Sequence, residues 1–249
     1  MLEIALAVRD TNPCKAPGPD GVYHSLIKRY LDVIMPILLR EYNKIWESED
    51  TPGEWFTTGK TILFFKHKGG DKSDPKNFRP ITMVNTMYKI LSSIIDKRML
   101  TSMMKTGNWD RDQQAMGKTR RGCLDAHMIS EVAVKMCRHI TSQTLNIEYV
   151  DFRKAYDSVS HEALTKILEL TVAEKVKRMK QRLLDTVKML MAGWKTSILN
   201  VKGPPREVLI KIGILKGDKM SSTLFCVALT ILKAQKSDTV ELHSIESFK

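Results

Sequence analysis

Acidic residues are scarce in this sequence beside basic ones: 28 Asp and Glu stand against 40 Lys and Arg over 249 residues, a formal charge of +12. That excess points to a polyanionic partner, nucleic acid ahead of an acidic membrane surface. Cysteines number only four (Cys14, Cys123, Cys137, Cys226), with no C-x-x-C pair. Such spacing fits reduced thiols in the cytosol or nucleus better than a disulfide scaffold or a zinc site. Thirteen Gly and nine Pro are too few for a fibrous or low-complexity chain. The longest apolar run, VIMPILL at 33–39, is far short of a membrane span. The start, MLEIALAVRD, is too short and too charged for a signal peptide. A soluble globular protein with no membrane partner is the expectation.

What is present reads as helices with a few short strands. CKAPGPDGVYH (14–24) is a loop, since its prolines and glycines break regular structure. Ile27, Tyr30, Leu31, Ile34, Leu38, Tyr42 and Ile45 share one helical face, with a kink expected at Pro36. TILFF (61–65) reads as a short buried strand. KHKGGDKSDPKNFRP (66–80) reads as a basic loop whose final proline forces Arg79 into an extended conformation. Further helical spacing runs over Met87–Met99, Leu124–Ile140, Ser160–Leu168 and Val176–Leu190. Residues 106–122 read as a long loop, 145–150 (LNIEYV) as a strand ending at Asp151, and 198–201 with 207–212 as a strand pair. A Gly-rich turn, GILKGDKMSS (213–222), precedes the apolar TLFCVALTIL.

Three chemistries compete for these residues. Gly-Lys-Thr occurs at 59–61 and 117–119, but Glu54 and Asp112 stand where a P-loop needs glycine, so both triplets are ordinary basic loop residues. An aspartyl-phosphate enzyme wants a second acid two residues after its nucleophile, and that position is Arg153. The third use of Asp151 is as a hard carboxylate ligand for magnesium in nucleotidyl transfer, where two ions clamp attacking and leaving oxygens. Against it stands a bland reading in which Asp151 or Asp157 caps the next helix.

Five motifs occur in order: KAPGPDG (15–21), FFKHKGGD with NFRPITMVNTMYKI (64–90), RRGC (120–123), YVDFRKAYDSVSH (149–161) and GILKGDKMSSTLF (213–225). The series resembles the reverse transcriptase of non-LTR, LINE-like retrotransposons over about residues 14–232. The resemblance implies an α+β, helix-rich right-hand polymerase: an N-terminal loop segment (1–25), fingers (26–140), a partial palm (141–232) and a polar tail (233–249). It implies RNA-directed DNA synthesis on an RNA template and DNA primer with dNTP and Mg2+, in the nucleus or cytoplasm. By the same resemblance Asp151 and the Phe152 carbonyl hold metal, Arg79 and Lys66 meet the triphosphate, Tyr156 lies under the sugar, and Gly217 and Asp218 form the turn beside nucleotide and template. Asp157 remains a helix cap.

Departures are specific. The family's aromatic-x-Asp-Asp hairpin is expected beyond GILKGDKMSSTLF, yet no Asp-Asp pair occurs, and Asp238 stands alone in a polar tail. Lys216 stands where the family has Gln; it keeps the capacity to touch a phosphate but not an amide's paired donor and acceptor. Ser222 stands where the family has Pro. The expectation is a truncated domain, inactive by itself and missing upstream regions, with a palm sheet left incomplete and an unpaired edge near Val150. The competing expectation is a non-catalytic, basic nucleic-acid-binding remnant with clusters at 66–79, 117–121 and 175–182.

Overall fold

The computed structural model describes residues 1–47, 52–66, 70–110, 113, 122–141, 145–147, 149–172, 177–199 and 203–237. The first element was expected to be loop but is helix α1 (Leu2–Arg9), which buries Ile4, Ala7 and Val8. The next helical run divides into α2 (His24–Arg29) and α3 (Leu31–Glu47). The break falls at Tyr30, whose φ of −110° and ψ of 27° leave the helical region; Pro36 lies inside α3.

A one-turn helix, α4 (Glu54–Thr57), leads into β1 (Thr58–Phe65), which returns as β2 (Phe78–Val84). Sequence reading missed β2 because Pro80 signals a break. Pro80 is tolerated because β2 is the outer strand of the four-stranded sheet, ordered β2-β1-β3-β4. Helix α5 (Thr86–Thr106) follows, then α6 (Cys123–Met136), α7 (His161–Thr171) and α8 (Lys177–Ala192). The expected strand pair forms as β3 (Lys195–Ile198) and β4 (Arg206–Leu209), slightly earlier than its apolar residues suggested. Helix α9 (Lys219–Ser237) closes the described chain.

β1 pairs antiparallel with β2 and parallel with β3, so the sheet joins residues 58–84 to residues 195–209. Thr61 ties three strands together: its hydroxyl lies 2.7 Å from that of Thr82 and 2.6 Å from that of Thr196, all buried. Helix α5 runs through the centre, burying Tyr88, Ile90, Leu91, Ile95 and Met99 against α1, α8 and α9. Its start is held from the KAPGPDG loop, where Asp20 accepts from the Thr86 N–H at 3.1 Å and its own N–H donates to the Asn85 side chain at 3.0 Å. Gly18 permits this approach, since a Cβ there would lie 2.5 Å from the Val84 carbonyl oxygen. A helix-rich fold with a small mixed sheet results. No helix among the described residues is long and apolar enough to cross a membrane.

One expected element is missing. Residues 145–147, 149 and 150 form no strand, and Tyr149, Val150 and Asp151 are exposed. A strand needs a neighbour to complete its hydrogen bonds, and no described residue pairs with this run. RRGC keeps only its last two residues, and the 117–121 cluster and Asp238 lie outside the described residues.

Candidate functional site

The turn at Gly217 is the most tightly built of the positions that the sequence singles out. Gly217 has φ +121°, and a Cβ there would stand 2.5 Å from the Thr82 carbonyl oxygen, so this approach requires glycine twice over. The Thr82 N–H in turn donates to the Lys216 carbonyl at 2.9 Å. Thr82 lies three residues beyond Arg79 on β2. Arg79 stands on the exposed face of that strand, opposite Phe64 of β1. Lys66, just past β1, is exposed and bends over the connecting loop: its N–H donates to the Asn77 carbonyl at 2.9 Å and its Nζ to the Lys76 carbonyl at 2.6 Å.

On its other side the same turn is stitched to Tyr156. The Ile214 N–H donates to the Tyr156 carbonyl at 2.9 Å and the Gly213 N–H to the Val159 carbonyl at 2.8 Å. The Tyr156 ring stacks on Phe225 with centroids 4.9 Å apart, and its hydroxyl lies 3.5 Å from Ser222. Arg79's strand, the Gly217 turn and Tyr156 are thus joined through main-chain bonds. Asp157 does not cap α7: Ser160 does, accepting from the Ala163 N–H at 3.3 Å, while Asp157 accepts from Lys216 Nζ at 2.6 Å. A cap must directly precede its helix, and Asp157 sits in a separate single turn at 155–158.

Beneath the turn lies a buried polar chain that sequence reading missed. Asp218 accepts from Ser92 Oγ at 2.5 Å and from the Tyr88 hydroxyl at 3.3 Å, and Trp194 Nε1 donates to that hydroxyl at 2.9 Å. Burial pushes the Asp218 carboxyl up to about 6, against the pull of the Ser92 hydrogen bond and with a push from Asp96. Asp96, one turn further along α5, is likewise raised by burial to about 6. The signal was available: Tyr88, Ser92 and Asp96 form an i, i+4, i+8 polar row along α5.

Beside the turn opens a cavity of about 210 Å³, whose lining includes Gly217, Thr82, His24, Lys15, Lys89 and Lys219. Its cations press on one another. His24 is lowered to about 4, first by burial and then by Lys89, Lys15, Lys219 and Lys28, so its ring is neutral at pH 7. Burial also lowers Lys89 and Lys219. Asp10, at the rim, is engaged by Lys97 at 2.7 Å. The arrangement suits an anion.

Asp151 and Phe152 are placed differently. Both are exposed, and Phe152 borders an apolar groove of about 490 Å³ with Ala155, Leu164, Ile167 and Phe225. Among the described residues no group of three or more His, Cys, Asp and Glu side chains could hold a metal ion. Asp151 with the Phe152 carbonyl does not by itself make a two-ion site, so no catalytic step follows through magnesium in this arrangement.

Comparison with known proteins agrees with the family that the motifs resemble. A family model described as reverse transcriptase (RNA-dependent DNA polymerase) matches residues 66–244. The chain is 25% identical over 247 residues to a retrovirus-related Pol polyprotein from the type-1 retrotransposable element R2 of Popillia japonica, covering 95% of this chain and 30% of that protein. It is 28% identical over 210 residues to the Pol polyprotein of element R2DM of Drosophila melanogaster, covering 84% and 18%. A probable RNA-directed DNA polymerase from transposon BS, also of Drosophila melanogaster, is 23% identical over 167 residues, covering 65% and 17%. The chain therefore spans less than a third of the length of these relatives.

Proposed function

The chain belongs to the reverse transcriptase family of non-LTR retrotransposon Pol proteins, and from that premise we propose that residues 1–249 form its fingers and part of its palm. Arg79, assisted by Lys66, receives the triphosphate of an incoming dNTP; a guanidinium offers the planar fork of donors this needs. Tyr156 supports the sugar. The strand from an RNA template runs past the Gly217 turn, with a phosphate in the cavity of Lys15, Lys89 and Lys219. Divalent metal is the family's cofactor, and Asp151 with the Phe152 carbonyl would supply part of its ligands.

The observation that carries this reading is the double anchoring of the Gly217 turn, to Thr82 beyond Arg79 on one side and to Tyr156 on the other. Three residues proposed to meet one nucleotide are otherwise far apart in sequence. The lysine cavity favours a further statement: nucleic-acid binding outlasts catalysis in this chain, because it needs cations and not paired carboxylates.

Binding of an RNA–DNA primer–template to residues 1–249, titrated against salt, tests this. Lys89→Glu with Lys219→Glu is expected to weaken binding by about tenfold or more. The salt dependence should flatten by about one unit of slope for each phosphate that is no longer neutralised. Binding that is indifferent to salt and to both substitutions contradicts the reading.

A further inference from the structure

The ion pair between Lys216 and Asp157 lies between the proposed nucleotide residues and has no part in their roles. Its main-chain surroundings are fixed from two sides. The Lys216 carbonyl is held by Thr82 of β2. Asp157 lies in the turn whose Tyr156 and Val159 carbonyls accept from Ile214 and Gly213, and His161 Nε2 bonds the Gly213 carbonyl at 2.6 Å. Gly213 itself leaves no slack, since a Cβ there would meet the Asp157 backbone at 2.9 Å. The two charged side chains are thus rooted on rigid backbone between Arg79's strand and Tyr156, while their tips are partly open to solvent.

We propose, resting on the nucleotide role of Arg79 and Tyr156, that Lys216 is a phosphate-contacting residue which Asp157 holds in reserve. In the resting state the ammonium is paired with the Asp157 carboxylate at 2.6 Å. A partly exposed pair of this kind is weak, and lysine is a point charge on a flexible stem with three donors. A triphosphate, with several negative oxygens, takes the ammonium from a single carboxylate. Releasing the ammonium gives up its pairing with Asp157, and that loss is set against each nucleotide that binds. The pair therefore acts as a brake on nucleotide affinity, set by Asp157 and exerted through Lys216.

Isothermal titration of dTTP into residues 1–249 tests this, with thermal unfolding as the check that each variant is folded. Asp157→Asn is expected to bind dTTP roughly fivefold more tightly and Lys216→Gln roughly fivefold more weakly, as charges removed at partly solvated distances should. In the double variant the gain from Asp157→Asn disappears, because it passes through Lys216. If Asp157→Asn leaves affinity unchanged or lowers it while Arg79→Ala still weakens binding, the brake is overturned and the nucleotide site stands. If dTTP binds no variant, or binds independently of Arg79, the nucleotide reading fails and the brake fails with it.

Discussion

The Gly217 turn and the Asp151 segment were expected to meet the same nucleotide, yet they are built in opposite ways. Around Gly217, every neighbour needed to fix the backbone is present: Thr82 on the sheet, Tyr156 in its single turn, and Ser92, Tyr88 and Trp194 beneath Asp218. Around Asp151 the backbone is exposed and in no strand. Site geometry is inherited from whatever packs under it. A turn anchored on helix and sheet keeps its shape, whereas a carboxylate at a strand end is positioned only if the strand has partners.

The comparison can be broken at the turn most severely by Gly217→Val. It forces a β-branched side chain into a left-handed backbone against the Thr82 carbonyl, and it should cost about 3 kcal/mol in urea unfolding. A cost near zero would show that the turn is not pinned.

Acidity sharpens the contrast next. Asp218 and Asp96 are raised to about 6 from an ordinary 3.8, so the folded chain keeps protons that the unfolded chain gives up. Their contribution is fully present below pH 3.8 and is lost as pH rises to about 6, a change of about 3 kcal/mol for Asp218. Unfolding midpoints of Asp218→Asn, measured from about pH 4 to pH 7, should show a shallower decline, with only the share of Asp96 left. Parallel curves for the two proteins would count against the buried acid.

Tyr88→Phe is a smaller break. It strands the Trp194 N–H and one oxygen of Asp218 in the core, at about 1–2 kcal/mol. Asp151→Ala should change stability by less than about 0.5 kcal/mol, since the residue is exposed. A loss above about 1 kcal/mol would mean that this segment is packed after all.

Much of the helical part was legible, because α7 and α8 carry one-sided apolar spacing that burial of Leu164, Leu168, Leu183 and Leu190 satisfies. Order of motifs, too, was enough to place the family. Non-local facts were not legible. β2 was hidden by Pro80, which only an edge position makes harmless. The 145–150 run has the composition of a strand, and composition cannot supply a neighbour. Asp157 was read as a cap because local rules favour it, but its partner Lys216 is 59 residues away. Asp218 was expected in the turn beside nucleotide and template, and only folding shows its side chain bonded to the polar row of α5.

The most direct test asks one preparation of residues 1–249 for both properties: salt-dependent binding of an RNA–DNA primer–template, and extension of that primer with dNTP and Mg2+. Binding without extension is the predicted result, because the lysine-lined cavity and Gly217 turn are assembled while Asp151 stands exposed and in no strand. Primer extension that disappears in Asp151→Ala would contradict it, showing that the Asp151 half of the site is complete enough to work.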